Sequence, residues 1–353
     1  MAWTVGQKLQ SRKYTIEREL GRGRFDITYL AKDEGGNYLV IKTLDEDLLN
    51  KLTPAERDIL ESKFSGEALK LERCKHPHIV RVQETFKEGQ LFCIAMEYIA
   101  GDTLATLPRR VLPEKEALDY IRQIGEALIK AHRQGLLHRD VKPANIMVRL
   151  GKYEAVLIDF ELAEEFDHPL ISKSRAEQFA PIELNSSKTP RGAYTDVYSL
   201  AATLYVLLTG QMPVKAVDRK NAKASLIPPK EINPQISARV NQAILAGMSV
   251  ESELRPQTMG EWLNLLELRR GISIPCLPWE QPRWVMVLEI LGVVGVLAGV
   301  ISATINITDF LQKDSSSPYP SPIPSATPKA EVTPTTKSLL ILSEVPGKGS
   351  LEQ

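Results

Sequence analysis

The chain has 353 residues, of which 44 are Lys or Arg and 44 are Asp or Glu, so its formal net charge is zero. This balance gives no global electrostatic case for nucleic-acid binding, which requires clustered positive charge. The three cysteines, Cys74, Cys93 and Cys276, are far apart and form no C-x-x-C pair, which excludes a disulfide scaffold and a zinc ribbon.

The body of the chain begins with short apolar runs typical of strands. Residues 14–20, 27–33 and 38–44 predict an antiparallel meander, the last two strands being joined by the turn EGGN at 34–37. The segment TPAE at 53–56 combines a capping-box pattern with a proline at the first helical position, and predicts a helix reaching about residue 74.

Two further strands, near 79–87 and 90–99, are separated by a Glu-Gly pair. Beyond Gly101 the pattern becomes mostly helical, with predicted helices over 113–134 and 195–209, each closed by a glycine. The sequence therefore predicts an α+β protein of two unlike lobes joined near residues 97–101, a small sheet with one helix followed by a larger helical part.

Two features of the first lobe suggest a binding site for an anion. Gly21 and Gly23 flank an arginine between two predicted strands, where backbone N–H groups could cover a polyphosphate, although a tight hairpin explains them equally simply. Lys42 lies in an apolar strand, where its ammonium is costly unless it meets an anion or reaches solvent at a sheet edge. Neither feature alone establishes a site.

A cluster of polar residues follows the first long helix of the second lobe. The segment LHRDVKPAN at 137–145 precedes a short apolar strand, and the run AVLIDF at 155–160 places Asp159 at the end of another strand. Asp140, Asn145 and Asp159 are two carboxylates and an amide, which suit Mg²⁺ while leaving one carboxylate to accept a proton.

Together, these motifs resemble those of bacterial, eukaryotic-like (Hanks-type) Ser/Thr protein kinases over roughly residues 14–268. The resemblance implies a bilobal kinase fold that binds ATP and Mg²⁺, with Mn²⁺ as an alternative, and phosphorylates protein Ser/Thr hydroxyls. It assigns nucleotide contacts to the glycine-rich turn, the strand lysine, its helix partner and the hinge: Gly21, Gly23, Lys42, Glu67, Glu97 and Ile99. It assigns the chemistry to Asp140 as proton acceptor, Lys142 as the Ser/Thr-specific lysine, and Asn145 and Asp159 as metal ligands.

The resemblance also implies supporting contacts outside the reacting centre. Glu67 would pair with Lys42, and Glu183, at the end of the activation segment, would pair with Arg255. Asp196 would brace the catalytic loop. Arg139 would bind a phosphorylated activation segment, for which Ser172 and Ser174 are candidate autophosphorylation sites.

Four residues depart from the family pattern, all around the predicted site. Asp26 replaces the third glycine of the phosphate loop, where its charge would weaken ATP binding. Glu161 replaces the glycine after Asp159 and Phe160, and would cost about 1–3 kcal/mol if unusual dihedral angles are required there. Ala176 replaces a threonine, and the closing motif reads Pro-Ile-Glu.

None of the four departures removes a group that binds metal, neutralises phosphate or moves a proton, which favours an active kinase. The alternative interpretation is a pseudokinase, a scaffold or binding module that keeps the fold and transfers little phosphate. Substitution of Asp140 would distinguish the two.

An apolar segment follows the predicted kinase domain. After a juxtamembrane linker at 269–284, residues 285–305 contain one charge, Glu289, and at 1.5 Å per residue are long enough to span a bilayer as a helix. Arginines on the N-terminal side and the absence of a secretory apolar run in residues 1–14 predict a single-pass protein of the cell membrane, with a cytoplasmic kinase domain. A buried helix of a soluble domain is the alternative.

The remaining segment, 306–353, predicts a disordered tail on the outer side of the membrane. Residues 315–337 hold six Pro and nine Ser or Thr, a composition that buries too little apolar surface to fold. Within the predicted membrane helix, Gly295 and Gly299 form a G-x-x-x-G pair that could support a homodimer, although such rows of small residues are also common by accident.

Overall fold

The structure is a computed structural model, and it describes residues 3–163, 166, 177–185 and 189–268. The predicted membrane helix with Gly295 and Gly299, the linker, the tail and Cys276 lie outside the described residues, as do Ser172, Ser174 and Ala176. Among the helices in the described part, none combines the length and the apolar character needed to cross a membrane.

The first lobe is built on a six-stranded antiparallel sheet with the order β1-β2-β3-β4-β6-β5. The strands β2, β3 and β4 match the predicted meander, and β5 and β6 match the later pair. The bounds are β1 Lys8–Leu9, β2 Tyr14–Arg22, β3 Asp26–Asp33, β4 Tyr38–Leu44, β5 Val82–Glu88 and β6 Leu91–Glu97.

Two helices accompany this sheet. The short helix α1 (Glu46–Leu49) follows β4, and α2 (Pro54–Arg73) begins with the predicted capping box, in which the side chains of Thr53 and Glu56 each bond the other's backbone N–H. Phe64 on α2 is fully buried and meets Phe92 of β6 edge to face, with ring centroids 6.2 Å apart. This contact fixes the helix against the sheet.

A small three-stranded sheet lies just beyond the predicted connection between the lobes. It consists of β7 (Gly101–Thr103), β8 (Ile146–Arg149) and β9 (Ala155–Leu157), paired antiparallel in that order. Gly101 has φ 146°, and a Cβ built on it would lie 1.9 Å from the carbonyl oxygen of Val148. Only glycine can therefore occupy this first residue after the connection.

The second lobe is helical and surrounds a buried central helix. Helix α3 (Glu114–Arg133) matches the predicted helix, and Gly135 follows it with φ 66°. Helix α4 (Ala193–Thr209) is buried over nearly its whole length and contacts α3, α7 and α8, which explains its apolar residues on all sides. Among the residues of this lobe that the structure describes, the remaining helices are α5 Ala216–Lys220, α6 Pro229–Ile232, α7 Ala238–Gly247 and α8 Met259–Leu265.

The last part of the lobe is less helical than the sequence predicts. The sequence suggests helix over 250–270, whereas the described part of this range, 250–268, has one 3₁₀ turn, Ser252–Leu254, and then α8. Pro256 separates the two because it has no N–H to donate and restricts the residue before it. Thr258 then caps α8, accepting from the backbone N–H of Glu261.

Candidate active site

A cavity of about 870 Å³ lies under the first sheet and opens onto the polar loop of the second lobe. One end is apolar, lined by Leu20, Val40, Val80, Met96, Ile99 and Met147. The other end is charged, lined by Asp26, Lys42, Asp140, Lys142 and Asp159, with Gly21 and Gly23 above it. A flat apolar base and a charged phosphate chain would each meet a matching surface.

The polar loop at 137–145 ends in a 3₁₀ turn, Pro143–Asn145, and orients one carboxylate. Lys142 Nζ donates to Asp140 Oδ2 at 2.6 Å, and Asn145 Nδ2 donates to the same oxygen at 2.9 Å and to the Asp140 carbonyl at 2.8 Å. Asp140 is thus held by two donors, and the structure brings together the three residues predicted from this segment.

Asp196 holds the backbone of this loop from below, as predicted. It is fully buried on α4, and its two oxygens accept the backbone N–H groups of His138 at 3.0 Å and Arg139 at 2.8 Å. Burial would raise the pKa of Asp196, but hydrogen bonding and charge from His132 bring it below the ordinary value. Arg139 has φ 66°, a left-handed backbone that these contacts stabilise.

His138 connects the loop to the segment that carries Asp159. Its Nδ1 accepts the N–H of Asp140 at 3.2 Å, so its Nε2 carries the proton and donates to the carbonyl of Ile158 at 2.8 Å. The ring packs on Phe160 with centroids 4.5 Å apart. Burial lowers the pKa of His138, consistent with a neutral ring.

The strained backbone in this segment lies at Asp159 and not at Glu161, where the sequence suggests it. The unusual dihedral angle lies at Asp159, with φ 59°, whereas Glu161 does not have positive φ. The expected cost at Glu161 is therefore not incurred, and replacing the family's glycine there is compatible with this backbone.

Lys42 meets two carboxylates. Its Nζ lies 2.5 Å from Asp159 Oδ1 and 3.2 Å from Asp26 Oδ2. Burial alone would lower the pKa of Lys42, but the two carboxylates reverse the direction and raise it. Burial would raise the pKa of Asp159, but the charge and hydrogen bond of Lys42, together with the charges of His138 and Lys142, bring it below the ordinary value. Burial dominates at Asp26 and raises its pKa. Of the two alternatives for this lysine, an anion or solvent at a sheet edge, the structure shows the anion.

The predicted pairing of Lys42 with Glu67 is wrong for this structure. Glu67 on α2 forms ion pairs with Lys70 at 3.0 Å and Arg139 at 3.7 Å. One reason is local, since Lys70 lies one helical turn from Glu67 and competes for it. The resemblance gave the expected partner, but Asp26 supplies a carboxylate that the family's glycine does not have.

A further ion pair crosses the cavity and was not predicted. Arg24 Nη1, in the glycine-rich turn, lies 3.3 Å from Glu161 Oε1 beyond Asp159. Both side chains are largely buried, at 11% and 15% exposure. The sequence contains a signal for this pair, because Arg24 follows Gly23 and Glu161 replaces a glycine of the family pattern. The sequence alone does not show that the two side chains meet.

The predicted pairing of Arg255 with Glu183 is present, and the predicted hinge has side-chain contacts of its own. Arg255 and Glu183 form a bidentate ion pair, with distances of 2.6 and 2.9 Å, and both side chains are almost completely buried. At the predicted hinge, Glu97 accepts from Arg149 Nη2 at 2.8 Å and from the backbone N–H of Arg81 at 2.9 Å. Ile99 is buried beside it and lines the apolar end of the cavity.

The donor set fits a hard divalent cation bound together with phosphate. Asp159 offers a carboxylate whose side chain is 49% exposed toward the cavity, and the carboxamide of Asn145 lies beside Asp140. Two protein oxygen ligands are what Mg²⁺ takes when phosphates and water complete its octahedron. Among the described residues there is no group of three His, Cys, Asp or Glu arranged for a metal.

Comparison with known proteins gives consistent results. The protein kinase domain family matches residues 14–257. A probable serine/threonine-protein kinase of Clostridium acetobutylicum is 30% identical over 72% of this chain and 40% of its own length. Serine/threonine-protein kinase PknB of Mycobacterium leprae is 30% identical over 74% of this chain and 44% of its own length. The chain thus spans less than half the length of these two relatives.

Solved structures show the same architecture. The crystal structure of the Mycobacterium tuberculosis PknI kinase domain is 26% identical, covers 76% of this chain and all of that one, and superposes with a TM-score of 0.57. The PpkA-294 apo form is also 26% identical, with a TM-score of 0.57, and covers 75% of this chain and 99% of its own. The antiparallel first lobe, the helical second lobe, the loop geometry and these matches together show that the chain belongs to the protein kinase domain family.

Proposed function

We propose that residues 14–268 form an active Ser/Thr protein kinase that transfers the γ-phosphoryl group of ATP to protein hydroxyls. The observation that carries this proposal is the arrangement of Asp140, which is oriented by Lys142 and Asn145 at the charged end of the cavity. The relatives of this chain that are named serine/threonine-protein kinases support protein Ser and Thr hydroxyls as the substrate class.

Each charged group of the cavity has a distinct role in this proposal. Asp140 accepts the proton of the substrate hydroxyl, and Lys142 beside it neutralises charge on the transferred group. Lys42 binds the phosphate chain under Gly21 and Gly23. These residues act mainly by positioning and charge neutralisation, which is most of what phosphoryl transfer requires.

The remaining residues bind the metal and the base. Asp159 and Asn145 would hold Mg²⁺, which supplies charge neutralisation between the phosphates when bound. Met96, Ile99 and the other apolar lining residues would enclose the adenine, with the hinge backbone at Glu97 and Ile99 beside it.

The test is transfer of radiolabelled phosphate from Mg-ATP by the full chain, with Asp140→Asn as the matched variant. We expect the variant to lose activity by roughly 10²- to 10⁴-fold, the usual contribution of a general base. A generic basic protein serves as acceptor, and self-labelling is read in the same reaction.

Absence of labelling by a folded wild-type protein, with Mg²⁺ and Mn²⁺ both tested, would support the pseudokinase interpretation instead. Equal labelling by the wild type and Asp140→Asn would show that Asp140 has no catalytic role.

Two finer parts of the proposal rest on the sequence. Residues 285–305 anchor the chain in the cell membrane, because 21 residues with a single charge suffice to span a bilayer, and the arginines on their N-terminal side place the kinase domain in the cytoplasm. Pairing through Gly295 and Gly299 would bring two kinase domains together for autophosphorylation at Ser172 or Ser174. Protease protection in vesicles tests the topology, and phosphopeptide mapping tests the two serines.

A further inference from the structure

The ammonium group of Lys42 is buried and needs a fixed counterion. Its side chain is only 5% exposed, and an uncompensated buried charge is strongly destabilising. The carboxylate that the family resemblance assigns to it, Glu67, is engaged by Lys70 and Arg139 instead. Some other residue must therefore orient the lysine.

Asp26 has the position to do so, and the pairing of two strands places it there. In the register of β3 and β4, Thr28 lies opposite Lys42 and Asp26 lies opposite Leu44. Residues two apart on a strand share a face, so Asp26 and Lys42 are diagonal neighbours on the same side of the sheet. The contact is set by the hydrogen-bonded backbone of the sheet and does not depend on the position of α2.

The glycine-rich turn holds the Asp26 carboxylate from above. Gly23 donates its backbone N–H to the Asp26 carbonyl at 2.8 Å. A Cβ built on Gly23 would lie 2.5 Å from Asp26 Oδ1, so the turn packs directly on this carboxylate. The side chain of Asp26 is consequently only 11% exposed, and its freedom to turn away from Lys42 is small.

The two carboxylates at Lys42 differ in what else they can do. Asp159 is 49% exposed, faces the cavity and belongs to the predicted metal site. If Asp159 serves as a metal ligand, its carboxylate would be shared between the metal ion and the ammonium. Asp26, enclosed by the sheet and the turn, would remain as the counterion while the other N–H groups of Lys42 turn to phosphate.

We propose that Asp26 is the positioning residue that orients Lys42 toward the phosphates of the nucleotide, in place of Glu67. This inference rests on the proposed kinase function. With Asp26 as its partner, Lys42 stays oriented whether or not α2 moves toward the cavity. The position of α2 would then not control the activity of the enzyme through this lysine. Asp26, which the sequence suggested as an obstacle to ATP binding, becomes part of the nucleotide site.

Steady-state kinetics of the full chain provide the first test. We expect Asp26→Asn to lower kcat roughly 10- to 100-fold, the range expected when a reacting group is misplaced by about 1 Å. Asp26→Glu keeps the carboxylate and should recover part of the lost kcat. A merely structural role predicts no such recovery, because the longer side chain does not fit this tight space. Glu67→Gln should lose less than Asp26→Asn. Glu34→Gln, an exposed residue of the β3–β4 turn, is the control for charge removal.

A double-mutant cycle on thermal stability provides a second test that does not require activity. The unfolding midpoints of Lys42→Met, Asp26→Asn and their combination should be non-additive by roughly 2 °C or more, since contacting residues couple. The corresponding cycle of Lys42→Met with Glu67→Gln should be additive. If the wild type transfers no phosphate, the proposed function fails while this cycle still reports on Asp26.

Three results would overturn the inference. A rise in kcat/KM for ATP in Asp26→Asn would show that Asp26 competes with the phosphates. Unchanged kinetics in that variant would show that Asp26 does not orient Lys42. A stronger coupling of Lys42 to Glu67 than to Asp26 would restore the family's usual pairing.

Discussion

The two sides of the cavity follow the family pattern to different degrees. On the side of the second lobe, Asp140 and Asn145 lie together and Asp196 braces the loop that carries them, as the resemblance implies for Asp196. On the side of the first lobe, Lys42 and Glu67 have exchanged their expected partner for others. The difference shows that the second-lobe side is fixed by buried backbone contacts, whereas the first-lobe side is held by charged side chains that can be re-paired.

We expect the largest effect on stability from breaking the buried ion pair of the second lobe. Arg255→Met leaves Glu183 buried without its bidentate partner, so we expect a loss of about 3–5 kcal/mol in the free energy of unfolding. Denaturant titration measures it, with Glu183→Gln/Arg255→Met as the control that removes both charges and recovers part of the loss. A loss below about 1 kcal/mol would mean that the pair behaves as a surface ion pair.

Asp196→Asn tests the brace beneath the catalytic loop. The amide oxygen can still accept one of the two backbone N–H groups, while the charge is lost, so we expect about 2 kcal/mol of destabilisation. Hydrogen exchange at the His138 and Arg139 amides should accelerate in the variant. Exchange unchanged at both amides would contradict a bracing role for Asp196.

The pH dependence of stability tests the neutral state of His138. Its pKa in the folded protein lies below the ordinary value of 6.5, so between the two values the unfolded chain binds a proton that the folded protein does not. Stability should therefore fall as pH drops below about 6.5, by at most about 1.4 kcal/mol per pH unit for this group. His138→Gln should reduce that slope, and equal slopes in the two proteins would show that the ring is not held neutral.

The smallest effect concerns the ion pair across the cavity on the phosphate side. Arg24→Gln and Glu161→Gln should each destabilise the protein by about 0.5–1 kcal/mol, because the pair is partly buried but has one long contact. Their double-mutant cycle isolates the interaction from the packing of Arg24 on Phe25. Additive midpoints would mean that the pair contributes nothing to stability.

The sequence predicts the elements and the second-lobe side of the site well, because periodicity, caps and motif spacing are local signals. The pairing of Glu183 with Arg255 also follows from the resemblance. The partners of Lys42 could not be predicted, since they depend on strand register and on competition between carboxylates for one ammonium. For the same reason, the sequence presents Asp26 and Glu161 as two separate departures, although each has a cation as its partner.

Gly101 limits how the cleft can open. Because no side chain fits between its backbone and Val148, and because β7 pairs with β8 from this residue onward, the chain is anchored to the second lobe there. On the other side, Glu97 is still within β6. We therefore expect rotation of one lobe against the other to be concentrated in the short stretch between Glu97 and Gly101, which would act as the pivot of the cleft.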